Sequence, residues 1–65
     1  MEGIKKYEYK YVELTTTDDK VFIGDIIEVE PPWEENNEYW SLALERDDGI
    51  IIGFKDYEIK KIKEV

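Results

Sequence analysis

Pairs of acidic side chains are the residues of this sequence whose type and spacing come nearest to chemistry. They occur in three polar stretches, as Asp18-Asp19, Glu34-Glu35 and Asp47-Asp48. Paired carboxylates can flank a glycosidic bond, or supply oxygen ligands to Ca²⁺, when several of them converge in one cleft or loop. None of the three pairs has the alternating acid spacing of a calcium loop, so we interpret all three as solvated turns.

Two residue types that carry much of enzyme chemistry are absent, because the chain contains no histidine and no cysteine. Histidine is the usual general base and a frequent metal ligand, and cysteine supplies thiolate ligands and disulfides. The sequence therefore predicts a non-catalytic protein without a cofactor, a metal site or a disulfide.

Aromatic side chains are better candidates for a binding role. Tyr7, Tyr9 and Tyr11 alternate along a predicted first strand, which places them on the face opposite Val12 and Leu14. Such a stripe can stack bases, line a peptide groove or lie in an interface. It also arises from ordinary strand propensity, so the stripe alone leaves its role open.

Trp33 follows Pro31-Pro32 in EPPWEENNE, the longest irregular stretch of the chain. Exposed tryptophan is enriched in the hot spots of protein interfaces. A tryptophan at this position is equally able to cover the open end of the fold, and both interpretations stay open. We predict partner binding at four positions: Tyr7, Tyr9, Tyr11 and Trp33.

Five segments of alternating apolar and polar residues, separated by turn signals, predict that the elements positioning these side chains are all strands. The predicted strands cover residues 7–15, 21–29, 39–45, 49–54 and 59–65, with a tight turn at 55–58. A chain of 65 residues is one small domain, which we assign to 1–65.

The second predicted strand contains the most informative local pattern. Gly24 lies between Phe22 and Ile26 on its inner face, and the alternation then slips so that Val29 faces inward. A glycine in this setting indicates a bend or a close backbone approach, and a slip in phase indicates a bulge. We therefore predict an all-β, five-stranded, strongly bent small barrel of the SH3-like type.

The alternation also predicts the core. The residues expected to be the most buried are Phe22, Ile26, Leu42, Leu44, Ile52 and Ile62. Three further residues are expected to face inward: Trp40, Ile50 and Phe54.

Charge is distributed unevenly along the chain, whose net charge is -8. Residues 21–58 hold eleven acids against Arg46 and Lys55, whereas residues 59–65 hold three lysines against Glu64. An acidic surface repels nucleic acid and attracts basic partners, and it also keeps a small domain in solution.

Two stretches resemble the Sm-like (Lsm) family of small barrels, and more narrowly short uncharacterised Sm-like proteins of low-GC bacteria. YVELTTTDDKVFIGDIIEV resembles the first motif of the family, and GIIIGFKDYEIKKIKEV resembles its second motif and closing strand. The resemblance implies a five-stranded barrel that assembles into rings and binds RNA. Where the family has an Arg-Gly pair, whose arginine helps to hold a base, this chain has Ile52-Gly53.

Three functions follow from these observations as expectations. The first is an assembly or interaction module that self-associates through its strand edges or binds a partner protein. The alternatives are an Sm-like RNA-binding ring and an acidic mimic that inhibits a nucleic-acid-binding protein. The longest apolar runs are too short to span a bilayer, and the N-terminus lacks the apolar core of a signal peptide, so a cytoplasmic location is expected.

Overall fold

Five antiparallel strands in one sheet form the body of the protein in the computed structural model, which describes residues 2–34, 36 and 38–65. The strands are β1 (Tyr11–Thr16), β2 (Val21–Glu30), β3 (Ser41–Arg46), β4 (Ile51–Lys55) and β5 (Ile59–Glu64). Three short 3₁₀ segments, Glu2–Tyr7, Pro32–Glu34 and Asp56–Glu58, complete the regular structure. The prediction of an all-β, five-stranded chain is confirmed.

The strand order in the sheet is β4-β3-β2-β1-β5, so β2 is central and β4 and β5 are the two edges. Every neighbouring pair is antiparallel. Phe22 of β2 and Phe54 of β4 lie two strands apart, yet their ring centroids are 5.2 Å from each other. The sheet is therefore curved, with its apolar side chains on the concave face.

The bend predicted in β2 has two visible causes. The pairing of β2 with β3 shifts register between Ile26 and Glu28, which leaves Ile27 as the extra residue of a bulge. Two residues earlier, Gly24 is buried against β3 with no space for a side chain. Val29 is buried, as the predicted slip in phase requires.

Half of the predicted core is confirmed. Ile26, Leu42 and Leu44 are buried, and Trp40 and Phe54 face inward as expected. The other three predicted core residues are only partly buried and pack against the edge of the cluster: Phe22, Ile52 and Ile62. Each lies near an open edge of the sheet or at a strand end, where no further strand covers it. Ile50 was expected inside but is 53% exposed, because it precedes β4 at the hairpin turn.

The N-terminal segment corrects the predicted first strand. That strand was expected from Tyr7, but β1 begins at Tyr11 and Glu2–Tyr7 forms a 3₁₀ helix. Ile4 of this helix is 1% exposed and belongs to the core. A residue outside the sheet therefore contributes to the core.

The turns between strands follow the chemistry of their residues. Gly49 adopts φ +87° in the β3–β4 hairpin, as expected for Asp-Gly at a tight turn. The predicted turn at 55–58 is the 3₁₀ segment Asp56–Glu58, which passes directly into β5. Within the described part of the chain, no helix is long and apolar enough to cross a membrane.

Candidate functional site

The three tyrosines predicted as one stripe do not share a strand face. Tyr7 ends the N-terminal 3₁₀ helix, packs half-buried against the core and donates a hydrogen bond from its hydroxyl to the Ile62 carbonyl oxygen at 3.3 Å. Tyr9 lies in the following turn with φ +67° and is 77% exposed. The predicted stripe is wrong as a geometric unit because the chain reverses between these residues.

Tyr11 is the only one of the three that belongs to β1, and its hydroxyl is engaged. It donates hydrogen bonds to the Asp47 carboxylate, the shorter being 2.9 Å, and so links β1 to the β3–β4 turn. This bond to a carboxylate raises the pKa of the Tyr11 phenol, because the neutral hydroxyl is needed as the donor.

Trp33 combines the two roles that the sequence left open. Its ring meets the buried Trp40 edge-to-face, with centroids 5.5 Å apart and an interplanar angle of 79°. The side chain is nevertheless 72% exposed. One side of Trp33 covers Trp40, and the remaining surface is available for contact, so partner binding at Trp33 stays a prediction.

Two of the acid pairs, Asp18-Asp19 and Asp47-Asp48, lie in turns, where hydrogen bonds or ion pairs engage their carboxylates. Asp18 accepts a hydrogen bond from the Thr16 hydroxyl, and this contact lowers the pKa of the Asp18 carboxyl. Asp19 meets the Lys60 ammonium at 2.6 Å. Among residues 2–34, 36 and 38–65, no group of three or more acids converges as a metal site. In the remaining pair, Glu34-Glu35, Glu35 lies outside the described residues.

The strongest candidate for a binding surface is the edge of β4. At each end of the β3–β4 ladder a backbone hydrogen bond joins the chain segments: Arg46 N–H to Ile50 C=O, and Asp56 N–H to Trp40 C=O, each 2.8 Å. These two bonds fix which residue pairs along the ladder are hydrogen-bonded. Because bonded and non-bonded pairs alternate in an antiparallel ladder, the N–H and C=O groups of Ile51 and Gly53 point away from β3. They face the outside of the sheet.

The next N–H on this edge already has a substitute partner. Lys55 donates its backbone N–H to a Glu58 side-chain oxygen at 2.8 Å. A side chain from the following 3₁₀ turn therefore ends the open part of the β4 edge. The open part is short, which is one way that proteins limit uncontrolled edge pairing.

The edge of β5 is open in the same sense and is rich in lysine. Val65 donates its N–H to the Tyr11 carbonyl oxygen at 3.1 Å, so the alternation directs the backbone groups of Ile62 and Glu64 outward. The strand carries three exposed lysines: Lys60, Lys61 and Lys63. Two of these lysines are held by acids, since Lys60 meets Asp19 and Lys63 meets Glu13 at 3.5 Å.

A groove of about 440 Å³ lies beside the β4 edge. The β4 residues Ile52, Gly53 and Phe54 line one side, and the β1–β2 turn together with Glu58 lines the other. The partly buried ring of Phe22 also lines this groove. Apolar surface and open backbone groups therefore occur together at this edge.

The sequence predicted strand edges as a possible site of self-association, but it did not indicate which strands form the edges, since edge strands follow from register and not from local pattern. Comparison with known proteins adds no assignment: no protein-family model matches this chain, and neither a curated protein nor a solved structure matches it.

Proposed function

We propose that this protein is a non-catalytic assembly module that self-associates through the edges of β4 and β5. The observation that carries the proposal is the presence of two open edges at opposite ends of one curved sheet, one that ends at the acidic turn Asp56–Glu58 and one that is rich in lysine. The finer fold that we propose is the small barrel of the Sm-like type, which the two sequence motifs favour.

Backbone geometry supports the pairing of one copy's β4 with the β5 of another. The outward groups of Ile51 and Gly53 on β4 can meet those of Ile62 and Glu64 on β5 in an antiparallel ladder. Addition of a strand to an exposed edge is a frequent mode of association, because main-chain hydrogen bonds supply much of the contact.

Charge supports pairing of unlike edges over pairing of like edges. Two β5 strands placed side by side would bring six lysines together, three from each copy. The β4 edge instead ends at the acidic turn Asp56–Glu58, which attracts a lysine-bearing strand. A contact between unlike edges leaves one free edge at each end, so the assembly continues into a closed ring or a filament.

The small size of the chain gives the association a thermodynamic reason. A domain of roughly 60 residues buries only about 60% of the surface of its unfolded chain, so its stability is marginal without additional burial. Ile50, Ile51 and Val65 lie at or beside the two edges and are each more than half exposed. Association would remove these side chains from water.

Sedimentation of the full chain, over concentrations from micromolar to millimolar, tests the proposal. The test variant is Ile51→Pro, which removes an N–H that points outward and leaves the bonds to β3 intact. Ile51→Val is the matched control because it keeps the N–H and the β-branched side chain. We expect larger species for the parent and the control, and a monomer with a cooperative melting transition for Ile51→Pro.

A parent protein that stays monomeric at millimolar concentration would overturn the proposal, as would equal association of Ile51→Pro and the parent. The RNA-binding ring and the acidic mimic stay predictions from the sequence. The acidic stretch 21–58 favours the mimic because it repels nucleic acid, whereas the exposed β5 lysines favour contact with RNA phosphates.

A further inference from the structure

The convex face of β2, β3 and β4 carries a second groove with a volume of about 500 Å³, which meets the first groove at Gly53, Phe54 and Glu58. Two rows of paired residues cross it: Glu28–Ala43–Gly53 and Glu30–Ser41–Lys55. The floor consists of small side chains on β3 and β4, and the two glutamates of β2 form one wall. Because both rows contain small residues, the surface of this face is depressed there and forms the groove.

Gly53 forms part of this floor, although neither its backbone conformation nor a close contact requires a glycine there. Its φ lies outside the left-handed region, and a Cβ placed on it would come no closer than 4.0 Å to any other residue, at the Leu42 carbonyl oxygen. Glycine within a strand is destabilising, and it often marks a position where another backbone or a ligand approaches closely. The space above Gly53 therefore suits an external group.

The chemistry of the groove favours a cation. Three glutamates line it, and Lys55 is the only cationic side chain among the described lining residues. The Lys55 ammonium lies 5.6 Å from the centroid of the Tyr39 ring, and Tyr57 meets that ring edge-to-face at 5.7 Å. The two tyrosines and Glu58 raise the pKa of Lys55, so this end of the groove already stabilises an ammonium group of the chain itself.

The spacing of the acidic wall indicates the form of the partner. Glu28 and Glu30 are two residues apart on the regular part of β2, so their side chains project from the same face about 6.6 Å apart. Basic residues at alternate positions of an extended segment have the same spacing. A segment with this pattern can place successive cations against the two carboxylates while its backbone passes over Gly53.

We propose that this groove binds an extended, basic segment of a partner protein, with lysine or arginine at alternate positions. The bound cations lie against Glu28 and Glu30, and the segment backbone lies over the small floor of Ser41, Ala43 and Gly53. Nucleic acid is not the ligand of this face, because its phosphates would meet the acidic wall.

The probe is an acetylated and amidated peptide of alternating lysine and threonine, titrated into the full chain at low salt and followed by proton–nitrogen correlation NMR. We expect saturable shifts of the Ala43 and Gly53 amide signals, and weaker binding as salt is added. The same peptide with glutamate in place of lysine should cause none of these shifts. Absence of saturable shifts with the lysine peptide would overturn the proposal.

Two variants test the groove itself. Glu28→Gln/Glu30→Gln removes the acidic wall, and the matched control Asp25→Asn/Glu64→Gln makes the same change in net charge elsewhere, from -8 to -6 in both. We expect about tenfold weaker peptide binding for the wall variant and less than about threefold for the control. Equal weakening in both variants would mean that net charge alone attracts the peptide, and it would overturn the proposal of a specific binding groove.

Gly53→Val tests the shape without changing charge. A valine side chain has room in the folded chain but occupies the floor of the groove. We expect an unchanged or higher melting temperature together with loss of peptide binding, and retained binding would overturn the proposal. The titration is repeated on the Ile51→Pro variant, which keeps the groove, so that failure of the groove and failure of edge association are observed separately.

Discussion

Gly24 and Glu45 lie on adjacent strands in such close contact that a side chain at Gly24 has no space. A Cβ on Gly24 would overlap the Glu45 carbonyl oxygen and lie 2.8 Å from Cδ2 of Leu44. The obstructing Glu45 atoms belong to the backbone of β3, so they cannot move aside without breaking the ladder. The bend of β2 depends on this contact.

The first prediction compares two glycines in strands. Gly24→Val should destabilise the fold by at least about 2 kcal/mol, because it forces β2 and β3 apart. Gly53→Val is the control, and its effect should stay within about 1 kcal/mol because its Cβ meets open space. Urea unfolding of both variants measures the difference. A Gly24→Val protein as stable as the parent would show that β2 does not need the close approach.

The second prediction concerns Ile4, which the sequence did not indicate as a core residue. Ile4→Ala should cost ~2–5 kcal/mol, as should Leu42→Ala in the middle of β3, because both side chains are buried. The matched control is Ile51→Ala, since Ile51 is 56% exposed and should lose little. Similar melting temperatures for Ile4→Ala and Ile51→Ala would mean that the N-terminal 3₁₀ helix is not part of the folded unit.

The sequence predicts the strands more accurately than it predicts the segments that pack against them, and the N-terminal segment shows why. Tyr7, Tyr9 and Tyr11 alternate as a strand would, and nothing local opposes that interpretation. Tertiary contacts decide otherwise: the Tyr9 N–H bonds to the Ile26 carbonyl oxygen at 2.7 Å, and Ile4 enters the core. These contacts involve β2, so no local pattern contains them.

For the candidate sites, too, the sequence indicates features that depend on neighbouring residues and misses those that depend on strand pairing. Gly24 was identified because its apolar neighbours Phe22 and Ile26 lie beside it in sequence. The groove on the convex face depends on Glu28 and Gly53, which are brought together only by the register of three strands. The open edges likewise follow from strand order, which hydrophobic alternation does not determine.

The third prediction is a pH dependence that arises at Glu8. Its carboxylate meets the Lys5 ammonium at 2.8 Å and accepts the Val29 backbone N–H at 3.2 Å. The bond from Lys5, followed by that from Val29, lowers the pKa of Glu8 from its usual 4.5. The stabilisation is therefore complete above pH 4.5 and is lost as pH falls through the lower folded value.

Glu8→Gln should consequently be less stable than the parent at about pH 7, and the difference should be smaller at about pH 3. Urea midpoints at the two pH values measure the effect, with Glu64→Gln as a control for removal of one exposed charge. A difference that is the same at both values would show that packing, and not the ionised carboxylate, is responsible.

The last prediction separates the aromatic surface from the strand edges. Tyr9 and Trp33 are both highly exposed, and neither belongs to β4 or β5, the two edge strands. If assembly uses the edges, the double variant Tyr9→Ala/Trp33→Ala should self-associate as the parent does, whereas Ile51→Pro should not. Its melting transition should stay cooperative, because neither side chain belongs to the core cluster.

Sedimentation of the two variants at the same concentration gives the comparison. A monomeric double variant would move the assembly surface to the aromatic residues, and Ile51→Pro would then associate normally.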